Sequence, residues 1–203
     1  NSGGELEHYG EDAYLGQFCI DWSNPAQYSH IGFNFRPDRD FSTLIELSYN
    51  IEFAVRGDAI NTPFDIRFVD TKVDEIDHPW RMRYVCDDAL FVRNGEWNEI
   101  SIPLAAFTEH GSWDNNTWYE PQGLFDWTAI DRFEIVAEYP ETANGTLQFD
   151  DIQITGGASS SISEYFGQDA VRVYPNPTFS SIHVETSRSV SGYAEIVSYD
   201  GIA

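Results

Sequence analysis

An all-β sandwich is the fold the sequence predicts, and three observations predict it. Apolar and polar residues alternate along several short runs. The longest sets Ile45, Leu47, Tyr49, Ile51, Phe53 and Val55 against Glu46, Ser48, Asn50 and Glu52, the period of a half-buried antiparallel strand. Turn signals separate the runs at Gly57-Asp58, Asn94-Gly95 and Asn144-Gly145, and an Asn-Gly pair tolerates the positive φ of a two-residue hairpin. No stretch carries the 3.6-residue period of a helix of ordinary length.

Residues 1–15 are small, polar and acidic, and read as a linker into a first edge strand. Strands follow from Phe18 to Trp22 and from His30 to Phe35, then the long alternating run. Phe64, Ile66 and Phe68 begin another strand, with Asp65 and Arg67 facing outward. Trp80, Met82 and Tyr84 alternate with Arg81 and Arg83. The strand from Trp97 to Ile102 is stopped by Pro103, which cannot donate to a ladder. Leu104 to Phe107 fits one helical turn, and Phe133, Ile135 and Ala137 make the penultimate strand.

The closing strand breaks its own rhythm. Leu147 and Phe149 share one face, while Ile152 and Ile154 take the other phase. A flip across Asp150-Asp151 predicts a β-bulge, because one extra residue re-aims every later side chain. Two adjacent acids there form a natural hard-cation site.

At 203 residues the chain holds one sandwich, or one and a fraction. Its 41% hydrophobic content suffices for a sizeable core. A net charge of −23 (34 acids against 11 Lys+Arg) argues against nucleic acid and anionic membranes, both of which most of the surface would repel. Cys19 and Cys86 lack the spacing of a redox or metal motif, leaving a disulfide in an exported protein or two buried thiols open. No run of about 18 apolar residues is present to span a membrane. A start at Asn1 without Met and a stop at Ala203 in mid-pattern suggest a piece of a longer protein.

The order of elements resembles a known family. The long early strand, the segments Trp97 to Leu104 and Trp127 to Phe133, and the closing Phe149-Asp150-Asp151-Ile152 together look like a galactose-binding-like jelly-roll carbohydrate-binding module, over roughly Phe18 to Thr155. The resemblance implies a non-catalytic polysaccharide-binding function and a structural calcium on an acid of the closing strand, at Asp150 or Asp151. From Gly156 the composition turns to the Gly/Ser-rich GGASSSISEYFGQD, a flexible linker. Val171 to Tyr174 and Ile182 to Glu185 then read as strands flanking a rigid Pro175-Asn176-Pro177 turn. This stretch, with Tyr193 to Tyr199 and Asp200-Gly201, resembles the start of the C-terminal sorting domain of the type IX secretion system of Bacteroidetes-type bacteria, about half present. The expected organisation is a jelly-roll module over 1–155, a linker over 156–170, and part of a second small β-sandwich over 171–203. The resemblance implies secretion or display at the cell surface.

Holding a sugar takes flat rings for its C–H face and planar polar groups for its hydroxyls. Trp113, Trp118 and Tyr119 stand in the otherwise hydrophilic stretch from Thr108 to Gly123, which costs exposed apolar area unless they bind something or fold back over the sandwich edge. Trp22, beside Ser23-Asn24-Pro25, is a further candidate. Trp97 and Trp127 match family positions that pack inward, and Trp80 shares the core phase of its strand. Arg67, Arg81 and Arg83 sit on polar strand faces, where guanidiniums either fork onto vicinal hydroxyls or pair with Asp65, Glu46 or Glu52. Against catalysis stand the scattered histidines and the absence of nucleophile-elbow, HExxH and P-loop patterns. Glu134 and Glu138 share a face but lie about 13 Å apart along a strand, too far for a retaining glycosidase pair. The expectation is a calcium-stabilised module that tethers an upstream glycoside hydrolase to plant or algal polysaccharide. Two rival expectations are an adhesion module packed on its own enzyme domain and a catalytic jelly-roll glycanase.

Overall fold

The computed structural model describes residues 4–71, 78–156, 171–174 and 183–186. The chain divides into two compact units, Asn1–Gly157 and Ala158–Ala203. In the first unit the elements run β1 (Glu5–Gly10), β2 (Cys19–Ser23), β3 (His30–Arg39), α1 (Ser42–Glu46), β4 (Asn50–Gly57), β5 (Phe64–Asp70), β6 (Trp80–Cys86), β7 (Asn98–Pro103), β8 (Thr108–His110), β9 (Ser112–Asp114), β10 (Thr117–Tyr119), β11 (Ile130–Val136) and β12 (Thr146–Thr155). Two five-stranded antiparallel sheets result, in the orders β1-β2-β12-β4-β7 and β3-β11-β5-β6-β8, with β9 and β10 a separate ladder.

Alternation decides what lies between the sheets. In the second sheet Phe33, Phe133, Phe68 and Met82 fall in one register row, and Ile31, Ile135, Ile66 and Tyr84 in the next. Leu147, Phe149, Ile51, Phe53, Val55, Ile100 and Ile102 face them from the first sheet and are buried. Phe149 meets Phe64 edge-on at 5.2 Å, and Phe68 touches the rings of Phe41, Phe107, Trp127 and Phe133. Each such side chain gains roughly 1.5–3 kcal/mol from leaving water.

The bulge is where the broken rhythm puts it. On β12, Asp150 pairs with Ala54 and Gln153 with Glu52, so Asp151 and Ile152 together oppose Phe53. Asp151 takes the left-handed conformation, φ 47°.

Three expectations are corrected. The long strand begins only at Asn50; Ser42–Glu46 is a helical turn, and Leu47 is exposed. The Asp40 carboxylate accepts both the Ser42 N–H and its hydroxyl, and drawing the chain back on itself there overrides the alternating pattern. Neither Asn-Gly pair closes a hairpin. Asn144 ends the 3₁₀ turn Pro140–Asn144, with Gly145 extended, and the chain crosses there from one sheet to the other. Gly95 does have positive φ, but the flanking β6 and β7 also belong to opposite sheets. A corner between sheets needs the same local chemistry as a hairpin, so composition does not separate them. Finally, Trp97 is only half-buried, lying under the Arg56 guanidinium at 4.8 Å with its indole N–H donating to the Asp12 carbonyl. Cys19 and Cys86 are buried free thiols.

In the second unit Val171–Tyr174 and His183–Thr186 pair antiparallel, Tyr174 opposite His183. Most of the linker, the Pro175-Asn176-Pro177 turn and Tyr193 to Tyr199 lie outside the described residues.

Candidate functional site

The outer face of the β3-β11-β5-β6-β8 sheet is built of register rows. Asn34, Arg132, Val69, Arg81 and His110 make one; Gly32, Glu134, Arg67, Arg83 and Thr108 the next; His30, Val136, Asp65 and Val85 a third. Long charged side chains therefore stand where one face of the sheet looks away from the core. A groove of about 660 Å³ lies over them, its floor including Arg67, Arg81, Arg132 and Glu134, its rim Trp113 and Trp118.

The rim is a hairpin. Asn115 and Asn116 take φ of 47° and 61°, the paired left-handed conformations of a type I′ turn. This sets Trp118 directly opposite Trp113, so both indoles stand on one face, 38% and 56% exposed. The other face is anchored: Tyr119 stacks on the His78 ring at 3.5 Å, and His78 Nδ1 lies 3.1 Å from the Asp114 carboxylate. Trp118 also rests 5.1 Å from the His110 ring and donates its indole N–H to Glu120.

Most of the floor is charge-paired. Arg67, 3% exposed, bonds Asp65 at 2.6 Å and Glu138 at 2.7 Å. Arg83 lies 3.4 Å from Asp65, and Arg132 lies 2.8 Å from Glu134. Burial works against the charge of Arg67, yet the facing Asp65 and Glu138 outweigh it and raise its pKa. Burial, with Arg83 and Arg67 nearby, pushes His110 down to about 4. Burial also lowers His30, against the opposing pull of Glu134. At neutral pH both imidazoles are therefore neutral and can donate and accept at once, as a hydroxyl-bearing ligand requires.

The sequence-predicted residues divide. Trp113, Trp118, Arg67 and Arg81 line the groove. Arg83 stands in the same floor row as Arg67 and is drawn to Asp65. Tyr119 is on the far side of the hairpin against His78. Trp22 is fully buried in the core at 0% exposure, in register with Leu6 and Leu147, which leaves it no face for a ligand; its polar neighbours suggested a loop, but it sits in mid-strand. Sequence reasoning missed Arg132, Glu134 and His30 as groove residues, since an acid or base on an outward strand face has no signature until register joins the strands. It also missed the hairpin, although Asn115-Asn116 between two tryptophans was a usable signal.

Asp150 and Asp151 lie on the other sheet. Asp150 accepts the Leu15 N–H at 2.9 Å and the Asp151 N–H at 2.8 Å, clamping the segment after β1 to the closing strand. Among the described residues no three carboxylate, His or Cys side chains converge on a metal position. Calcium takes six to eight oxygens, backbone carbonyls and water among them, so the two carboxylates would supply only part of its shell.

A β-sandwich that carries open indoles above a floor of guanidinium, carboxylate and imidazole groups has the makings of a carbohydrate-binding module. Residues 10–156 match the family described as carbohydrate binding domain 30, and the chain belongs to that family. Among solved structures, a family 30 carbohydrate-binding module superimposes with a TM-score of 0.55 at 20% identity, covering 77% of this chain and 90% of that one. The family 30 module of a cellulosomal cellulase of Clostridium thermocellum gives 0.54 at 20% identity, covering 78% and 91%. A family 11 module from the same organism, in complex with a β-1,3-1,4-mixed-linked tetrasaccharide, gives 0.51 at 14% identity, covering 77% and 84%. A comparison with curated protein sequences gave no match.

Proposed function

We propose that the first unit binds a polysaccharide chain along the groove and breaks no bond in it, tethering a polysaccharide-degrading catalytic domain of the same polypeptide to its substrate. The observation that carries this reading is the pair of exposed indoles, Trp113 and Trp118, held side by side by a type I′ hairpin at the groove rim. Each ring offers a face to the C–H side of a sugar, gaining about 1 kcal/mol beyond burial. The paired arginines and the neutral histidines beneath offer hydroxyls oriented donors and acceptors. Affinity per sugar is modest, and attachment of the enzyme to the same chain raises its effective concentration. Glu134 and Glu138 lie in the same groove, but each is engaged by an arginine, which suits positioning of guanidiniums better than proton transfer. The resemblance of the stretch from Val171 to Glu185 to a type IX sorting domain supports the further reading that the protein is secreted by that route.

Affinity electrophoresis against soluble glucans, xylans, mannans and galactans tests the reading. Retardation by a polysaccharide that is lost in Trp113→Ala and Trp118→Ala supports it. Release of reducing ends from any of them overturns it.

A further inference from the structure

Arg81 is the odd member of the floor. Arg67, Arg83 and Arg132 account for all three acids of the floor, Asp65, Glu134 and Glu138. Among the described residues, Arg81 has no hydrogen-bond acceptor, no ion-pair partner and no ring against it. It is partly buried all the same, in the cavity that Trp113 and Trp118 overhang. Burial and the nearby Arg67 charge work against its protonated form, and the more distant charges of Glu134 and Glu138 offset this only in part. In a chain with 34 acids and only 11 Lys+Arg, four arginines against three acids on one floor reverse the charge balance of the whole. A guanidinium is a planar fork that matches two oxygens of a carboxylate or sulfate, and such charge-assisted bonds are roughly twice as strong as neutral ones. Hydroxyls alone would leave this charge without a counterion in contact with it.

We propose that the groove takes an anionic glycan, with a carboxylate or sulfate group of one sugar seated on the Arg81 guanidinium while a ring of the chain lies against Trp113 or Trp118. The inference rests on the groove reading and narrows its ligand class. Both anions present the same oxygen pair to the fork. The acidic remainder of the surface makes the binding local, since at about 0.15 M salt charges beyond about 8 Å are screened.

The test uses the full chain at physiological ionic strength, in affinity electrophoresis and calorimetry against matched polymers. One pair is a polyuronate and the same polymer with its carboxyls reduced to alcohols; the other is a sulfated galactan and its desulfated form. The expected result is a preference of about tenfold or more for the anionic member of one pair. That preference disappears in Arg81→Gln and survives in part in Arg81→Lys, with melting temperatures unchanged because Arg81 has no partner to lose. The pair that shows it identifies the anion. Equal binding of charged and neutral members, lost in Trp113→Ala, overturns the anionic inference and leaves the groove reading standing. Binding of no polymer at all, or binding indifferent to both tryptophans, overturns the groove reading and this inference with it.

Discussion

Trp113 is more than half exposed, and little of the fold leans on it. Trp113→Ala is expected to weaken glycan binding about tenfold while shifting stability by no more than about 0.5 kcal/mol, which calorimetry and thermal melts read separately. Arg67 is the opposite case. Its removal takes from Asp65, at 0% exposure, its closest cation and leaves Arg83 at 3.4 Å. Arg67→Ala is therefore expected to cost about 3–5 kcal/mol in chemical denaturation. His110 carries the acid sensitivity of the groove. Its folded pKa of about 4 lies below the unfolded value near 6.5. Protonation thus favours the unfolded chain, and stability present above about pH 6.5 is lost as pH falls toward 4. A His110→Gln variant should flatten the acid limb of a profile of Tm against pH.

The β9–β10 hairpin shows what local sequence discloses. Its turn chemistry, Asn115-Asn116, is plain once sought, and the tryptophans stood out by composition. What could not be read is that Trp113 and Trp118 share a face while Tyr119 turns away to His78, because only strand pairing fixes that. Gly111 tests how tightly the hairpin is seated: a Cβ there would collide with the Tyr119 carbonyl oxygen and approach the Trp118 ring to 2.6 Å. Gly111→Ala is expected to displace the indoles and reduce retardation on the polysaccharide, with tryptophan fluorescence shifted as well. On the other sheet, the bulge at Asp150-Asp151 was legible from the phase flip, and its partner Leu15 was not. We hold calcium at this bulge as a proposal; the ion would have to take Asp150 from its two amide bonds. Added calcium would then raise Tm, and Asp150→Ala would abolish the rise.

Across the whole molecule, periodicity foretold the all-β class because Phe33, Phe68 and Phe133 alternate strictly enough to meet in one register row. Phe68 lies at their centre, 1% exposed, and Phe68→Ala is expected to cost about 3–5 kcal/mol. The path between sheets was not legible, since Asn94-Gly95 and Asn144-Gly145 serve corners as readily as hairpins. The groove floor was hidden for a related reason: its polar and charged residues come from five strands spread along the sequence. That same topology leaves β9 and β10 without a ladder bond to either large sheet. The ten residues from Gly111 to Glu120 are thus held by side chains, with Tyr119 and Asp114 on His78, so the turn and the two indoles can be redesigned while those contacts are kept. Recognition in this architecture can drift toward a new polymer by changing a few residues of one hairpin, while the phenylalanine-filled sandwich beneath it stays as it is.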